Sequence, residues 1–163
     1  NVGQEPLYYS QKNTGRPSSP IHVTYSGYTD APKTALYPFG FGLSYTSFEY
    51  KNLKLNKNSI PYNGEIQATV EVSNTGSRDG EEVIQLYIRD LIGSLTRPIK
   101  ELKGFQKIMI KAGETKTVQF TINAEMLQFY TVNKKWEVEP GDFNVWIGGD
   151  SRTSLKQLFT VSE

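Results

Sequence analysis

The later two-thirds of the chain alternates apolar and polar residues, and this period of two predicts β-strands. Between residues 66 and 72, Ile66, Ala68, Val70 and Val72 alternate with polar side chains. Such alternation gives a strand one buried and one solvated face. Similar runs cover residues 48–55, 83–88, 102–110, 118–122, 130–138, 143–147 and 155–161. We therefore predict seven or eight short strands from about residue 48 onward.

Turn-forming residues separate these runs, as in 74–80, 111–114 and 139–142. Short strands punctuated in this way predict an all-β fold, an antiparallel β-sandwich of immunoglobulin or fibronectin type III character. Cysteine is absent, so the cysteine–tryptophan–cysteine pattern of antibody domains is missing and the fibronectin type III-like branch is favoured. Asn123 precedes a short segment that we predict to be a single helical turn, because asparagine can cap the free amides of such a turn.

Strand phase also gives a prediction for each tryptophan. Phe143, Val145 and Ile147 fall on one face of their strand and are predicted to be core, which leaves Trp146 on the outer face. There it is either covered by the N-terminal segment or a neighbouring domain, or free to stack against a sugar ring. Trp136 lies between two charged residues, and we predict that it points into the core.

Residues 1–46 differ from the rest, because proline and glycine interrupt them repeatedly and no sustained period appears. Residues 6–9 could form an edge strand, but a long structureless loop inside a compact domain is improbable. We interpret this segment, called the connector below, as lying against a surface, and expect some of its aromatics to be exposed or to fold back on the sandwich. The residues we predict to pack between domains are Tyr8, Tyr9, Arg16, Tyr37, Phe39, Phe41 and Tyr45.

Composition and charge exclude several functional classes. With 18 basic and 17 acidic residues the net charge is +1, which gives no case for nucleic acid or an anionic membrane. The single histidine, His22, is interpreted as a solvated loop residue. Without cysteine, and with one histidine, thiolate catalysis and the common zinc sites are excluded.

Carboxylates are numerous enough that some pair always looks possible for acid–base chemistry. The nearest candidates are Glu81 with Glu82, Asp79 with Glu81, and Glu137 with Glu139. All lie in turns or on the polar phase of strands, so we assign none of them a catalytic role. Residues 148–151 and 40–42 are glycine-containing turns without the context of a phosphate or calcium loop, and we expect no cofactor or metal.

Several long motifs, in order, resemble the C-terminal region of family 3 glycoside hydrolases, most closely the bacterial periplasmic β-glucosidases. These motifs occupy residues 2–4, 8–9, 13–17, 36–46, 72–76, 83–87, 97–105, 112–115 and 139–143. The resemblance implies a barrel, an α/β sandwich domain and a terminal fibronectin type III-like domain. It places residues 1–46 at the exit of the second domain and in the linker, and 47–163 in the third.

The resemblance also implies what the chain lacks. Enzymes of this kind hydrolyse terminal β-glucosides with retention, using an aspartate nucleophile and a separate acid/base. Both lie upstream of the region matched here, so we predict that this chain alone is inactive. It implies a periplasmic or secreted parent, whose upstream catalytic domains would be this chain's partners.

Three functions remain open at this point. The domain would buttress the catalytic domains, or bind polysaccharide through Trp146 as an accessory module, or act as a stand-alone adhesion or interaction domain. The apolar connector argues against the last, because a free-standing domain has no use for it. Neither the oligomeric state nor the parent's preferred glycoside follows from these residues.

Overall fold

Alternation along the chain becomes a β-sandwich in the computed structural model, which describes residues 6–13 and 34–163. The strands and one helical turn run in the order β1 (Phe48–Leu55), β2 (Ser59–Pro61), β3 (Ile66–Asn74), β4 (Gly80–Asp90), β5 (Glu101–Ile110), β6 (Thr115–Ile122), α1 (Ala124–Leu127), β7 (Phe129–Tyr130), β8 (Trp136–Glu137), β9 (Gly141–Gly148) and β10 (Lys156–Ser162).

The strands form two sheets and a small hairpin. One sheet has the order β1-β3-β6, the other β2-β10-β9-β4-β5, and β7 pairs with β8. All pairings are antiparallel except that of β2 with β10. The predicted all-β sandwich is confirmed, and the short β2 edge strand is an element that the sequence pattern did not show.

The core lies between the two sheets. In β3 buried and half-buried residues alternate along the whole strand, as a one-sided apolar pattern requires. Phe143, Val145 and Ile147 of β9 face it from the opposite sheet, as predicted. Phe143 stacks on Phe159 with ring centroids 5.5 Å apart. Burial of these side chains is the main source of the sandwich's stability.

Asn74 closes one end of the sandwich and is buried with all its side-chain groups satisfied. Its Nδ2 donates to the carbonyl oxygens of Arg78 at 2.7 Å and Ile110 at 2.9 Å. Its Oδ1 accepts from Thr46 Oγ1 at 2.6 Å and from the Gly76 amide at 3.1 Å. One amide thereby joins the end of the connector to the β3–β4 turn and to β5.

At α1 the structure confirms the predicted helical turn. Asn123 is its N-cap, and the side-chain oxygen accepts a hydrogen bond from the Met126 amide at 3.2 Å. This contact satisfies one of the free amides of the turn.

Two strand predictions were wrong. Residues 6–9 form no strand but lead into a turn, in which the Gln11 amide donates to the Tyr8 carbonyl oxygen at 3.3 Å. Residues 130–138 are not one strand but the β7–β8 hairpin, which reverses at Lys134, where φ is 58°.

The core prediction for Trp136 was also wrong, since its side chain is 68% exposed. Trp136 pairs with Tyr130 across the hairpin, while the neighbouring Phe129 takes the buried position. Because side chains alternate across a strand, the Tyr130–Trp136 pair points away from the core. Charged neighbours predict that a tryptophan points into the core only when its strand is part of one of the two core sheets. The β7–β8 hairpin is not part of either sheet.

Candidate functional site

The face of β4 that points away from the core is covered. In a two-sheet sandwich this outer face would ordinarily be in contact with solvent. Five consecutive residues of β4, 84–88, are buried, so both faces of the strand are inaccessible to water. Ile84, Leu86 and Ile88 face the core. Tyr87 is 0% exposed on the opposite face, and Gln85 beside it is also buried. The connector is what covers this face.

Gln85 links the sheet to the connector. Tyr87 donates its hydroxyl hydrogen to Gln85 Oε1 at 2.5 Å. The Gln85 amide nitrogen donates to the carbonyl oxygens of Gly40, at 3.1 Å, and Gly149, at 2.5 Å. Burial, with smaller electrostatic contributions from Tyr9 and Asp150, raises the pKa of Tyr87, so the phenol stays protonated and able to donate.

Two separate pieces of the connector meet above Tyr87. The Tyr9 ring stacks on Phe39 with centroids 4.1 Å apart and meets Tyr87 edge-on at 6.0 Å. The Ile99 amide donates to the Gln11 carbonyl oxygen at 2.9 Å, and the Ser151 amide donates to that of Phe39 at 2.9 Å. Backbone hydrogen bonds and ring contacts therefore hold residues 9–11 and 38–41 on the sandwich.

The other side of the connector is exposed and apolar. We call it the connector face: Leu7, Tyr8, Leu36, Tyr37, Phe39, Phe41, Leu43 and Tyr45. Tyr45 is 92% exposed, and Tyr37 contacts Phe41 with centroids 5.4 Å apart. So many exposed large apolar side chains within one segment are typical of a surface that contacts another domain or protein. Of the predicted packing residues, Tyr9 folds back on the sandwich, the other described ones are exposed, and Arg16 lies outside the described residues, as does His22.

Trp146 lies on the outer face of β9, in the phase predicted for it, and is half-buried. The Lys100 ammonium stands 4.6 Å from its ring centroid and 5.7 Å from that of Tyr87. Lys100 also donates to the carbonyl oxygens of Ser151, at 2.8 Å, and Thr153, at 3.0 Å. Burial lowers the pKa of Lys100, and the negative charge of Asp150 opposes that decrease.

The carboxylates considered for chemistry are engaged in structural contacts. Tyr50 donates to Glu82 at 2.6 Å, and burial raises the pKa of Glu82 against the lowering effect of that bond. Glu81 pairs with Lys107 at 2.6 Å, and Asp79 accepts from the Ala112 amide at 2.8 Å.

The third candidate pair, Glu137 and Glu139, is likewise engaged in structural contacts. Hydrogen bonds from Thr131 and Asn133 lower the pKa of Glu137 and keep it ionised, whereas a glycosidase acid needs a raised pKa. Glu139 accepts a hydrogen bond from the Ser94 amide at 2.7 Å.

Asp90 is a buried carboxylate that the sequence pattern did not single out. Its Oδ1 accepts from the Ile92 amide at 3.1 Å, and Arg97 Nε lies 3.8 Å from its Oδ2, beyond hydrogen-bonding distance. Burial raises the pKa of Asp90, and the Arg97 charge opposes that rise. Arg97 itself lies over the Phe129 ring and donates to Glu101 at 2.7 Å. Asp90 ends β4 in the same phase as Ile84, Leu86 and Ile88, so extending the alternation by one more period would have placed this carboxylate on the buried face.

Two further properties of the described residues bear on function. Within residues 6–13 and 34–163, no three acidic or histidine side chains lie close enough together to hold a metal ion. In the same part of the chain, none of the helical structure is long and apolar enough to cross a membrane.

Comparisons with known proteins relate this fold to glycosidases. A family model described as a fibronectin type III-like domain matches residues 82–151. The chain is 49% identical over 153 residues to a periplasmic β-glucosidase of Salmonella typhimurium, covering 93% of this chain and 20% of the relative. It is 44% identical over 162 residues to a β-xylosidase of Formosa agariphila, covering 99% of this chain and 21% of that one.

A solved structure agrees with this assignment. The chain superposes on a β-glucosidase of Erythrobacter marinus with a TM-score of 0.87 and 42% identity, covering 99% of this chain and 20% of the other. The chain thus spans about one-fifth of the length of the relatives it matches. By sequence and by fold it belongs to the C-terminal region of the family 3 glycoside hydrolases, in which it supplies a fibronectin type III-like domain.

Proposed function

We propose that this chain is the non-catalytic C-terminal part of a β-glucosidase, and that it buttresses the catalytic domains of the same polypeptide. The observation that carries the proposal is the two-sided connector. Its inner side is fixed to β4 through Tyr9, Gly40 and Gln85, while its outer side exposes Tyr37 and Tyr45. An apolar surface held rigidly in this way is suited to pack against another domain.

The names of the relatives support the activity that we propose for the parent. The Salmonella relative is a β-glucosidase and the Formosa relative a β-xylosidase, which supports a parent that is a glycosidase acting on terminal β-linked sugars. We propose a β-glucoside substrate and a retaining mechanism. No catalytic residue is assigned to this chain, because its candidate carboxylates serve the structural contacts described above.

The division of the chain is part of the proposal. Residues 1–46 would be the end of the preceding domain and its linker, and residues 47–163 the fibronectin type III-like domain. Tyr8, Arg16, Tyr37, Phe39, Phe41 and Tyr45 would form the interdomain contact, whereas Tyr9 holds the connector on the sandwich from its inner side. The periplasmic relative supports a periplasmic or secreted parent.

Trp146 fits the packing role better than a sugar-binding one. A sugar platform needs a freely accessible ring face, and the Lys100 ammonium stands over this ring at 4.6 Å. We therefore propose that Trp146 and Lys100 pack together on the outer face of β4 and β9, next to the connector, and help to cover that face.

The test uses the full-length enzyme that contains this chain. Replacing Tyr37 and Phe41 together by serine should lower its Tm and its aryl β-glucosidase activity. A matched variant, with serine at the exposed Ile92 and Leu158, should leave both unchanged because these side chains lie outside the connector face.

The isolated chain should hydrolyse no aryl β-glucoside at any concentration. Activity in the isolated chain would defeat the assignment as a non-catalytic part. Equal stability of the connector-face variant and its control would defeat the buttress role.

A further inference from the structure

A hollow lies at the end of the sandwich formed by α1, the β7–β8 hairpin and the loop after β2. Its volume is about 500 Å³, which is within the range of small-molecule sites. Its lining includes Tyr62, Asn63, Gln128, Asn133, Trp136 and Glu137. None of these residues belongs to the connector face, so the hollow and the proposed interdomain surface use different side chains.

Trp136 supplies a flat aromatic surface to this hollow. Its side chain is largely exposed, yet the ring is held in place because Tyr130 meets it edge-on with centroids 6.1 Å apart. The hairpin beneath is itself fixed. The Thr131 amide donates to the Lys135 carbonyl oxygen at 2.9 Å, and the Lys134 amide donates to that of Thr131 at 3.0 Å. A ligand stacking on Trp136 would therefore meet a pre-organised platform.

Polar groups surround the ring and have unused hydrogen-bonding capacity. The side-chain amides of Asn63 and Gln128 make no hydrogen bond within the described part of the chain. Glu137 Oε2 accepts from Thr131 at 2.8 Å and from Asn133 at 3.3 Å, which fixes the carboxylate and leaves Oε1 available. Each free amide both donates and accepts, and the carboxylate accepts only.

This combination selects a neutral polyhydroxylated ring. A pyranose has an apolar face of C–H groups that covers an aromatic ring, and a rim of hydroxyls that both donate and accept. A phosphate-bearing ligand is disfavoured, because Glu137 and Glu139 place negative charge in the lining and none of the described lining residues is lysine or arginine. A purely apolar ligand would leave the carboxylate and amides without partners.

We propose that this hollow is a saccharide-binding site, with one sugar ring stacked on Trp136 and its hydroxyls bonded to Glu137, Asn63 and Gln128. The inference is independent of the buttress role, since it uses none of the connector-face side chains and requires no catalytic activity.

The two tryptophans allow a direct test on this chain. In a Trp146→Phe variant Trp136 is the only indole, and in a Trp136→Phe variant Trp146 is the only one. Titration with cellopentaose, xylopentaose and laminaripentaose should change the emission of the Trp146→Phe protein in a saturable way. The Trp136→Phe protein should show no such change, because Trp146 lies outside the hollow.

Binding measured by calorimetry should weaken by about tenfold or more in Trp136→Ala, because removing an aromatic anchor has effects of this size. Its Tm should stay close to that of the unaltered chain, since the side chain is exposed. Asn63→Ala should also weaken binding, whereas Asn58→Ala, an exposed asparagine outside the hollow, should not.

The titrations should extend to about 10 mM sugar, a concentration above the millimolar dissociation constants of weak binders. The absence of a saturable response to all three sugars over that range would overturn the proposal. So would equal affinities of the unaltered chain and Trp136→Ala. Neither result would bear on the connector face, whose test measures the stability and activity of the full-length enzyme.

Discussion

Gly40 and Gln85 are in direct contact between the connector and the sheet. The Gln85 side-chain amide donates to the Gly40 carbonyl oxygen at 3.1 Å, and Gly40 has a φ of 81°. A Cβ at residue 40 would lie 2.0 Å from Gln85 Oε1, which is far inside van der Waals contact. Only glycine combines this backbone conformation with this close approach.

We therefore predict that Gly40→Ala weakens the attachment of the connector. The unfolding free energy should fall by about 1–3 kcal/mol, from the strain at positive φ and the lost contact with Gln85. Tryptic cleavage at Lys12 should become faster, since the residue is held near Pro98 only while the connector is docked. Gly42→Ala is the control, because a Cβ at residue 42 would have nothing within 4 Å and the φ there is not in the left-handed region. Equal effects of the two substitutions, in denaturant unfolding and proteolysis, would contradict this account.

The buried hydroxyl of Tyr87 gives a second prediction. Tyr87→Phe removes the donor to Gln85 Oε1 and leaves that oxygen without this partner in a water-free position. The unfolding free energy should drop by about 1–3 kcal/mol. Tyr45→Phe removes a hydroxyl from a solvated ring and should change it by no more than about 0.5 kcal/mol. Urea unfolding of both variants makes the comparison, and a neutral Tyr87→Phe would show that the bond contributes nothing.

Asn74 should be among the most sensitive polar positions in the sandwich. Asn74→Ala breaks four hydrogen bonds at once and leaves the Ile110 carbonyl oxygen without its side-chain donor. We expect a loss of about 2–4 kcal/mol in unfolding free energy, from desolvated groups left unpaired. Asn58→Ala, at an exposed position, should be nearly neutral in the same thermal or urea measurement. A loss at Asn74 no larger than that at Asn58 would refute the role assigned to this amide.

Asp90 predicts a particular pH dependence. Burial raises its folded-state pKa above the ordinary 3.8, so the folded protein binds this proton more tightly than the unfolded chain does. The contribution of Asp90 to stability is therefore most favourable below that value and declines as the pH rises through the raised pKa. In the Asp90→Asn variant this side chain cannot ionise, so its contribution to stability does not decline as the pH rises.

The measurement is urea unfolding of both proteins from about pH 4 upward, the region where a raised carboxyl pKa acts. The stability of Asp90→Asn relative to the unaltered chain should increase with pH. A relative stability that decreases with pH would mean that the Arg97 charge stabilises the carboxylate by more than burial destabilises it.

Part of this fold could be predicted because its signals are local. In β3 every second residue meets the same core, so the apolar alternation from Ile66 to Val72 determines which face is buried. Asn123 caps α1 through a contact three residues away. Because these features depend on residues that are close together in the chain, a local sequence pattern is enough to predict them.

Other features depend on segments that meet only after folding. Residues 84–88 of β4 are buried on both faces because the connector returns to Gln85 from 45 positions earlier in the chain. Lys100 reaches the carbonyl oxygen of Ser151 across 51 positions, and thus stands over Trp146. The pattern around Trp146 gives its phase but not what covers it.

By itself the sequence determined the all-β sandwich, its core face, the aromatic connector and the resemblance to the glycosidase family, because alternation, turn residues and long motifs are properties of the chain. Only the tertiary structure decided that Tyr9 folds back while Tyr37 stays exposed, and that Trp136 rather than Trp146 has an open ring. Exposure is set by which distant segments pack over a side chain, and a period of two specifies the face of a strand without specifying what lies against it.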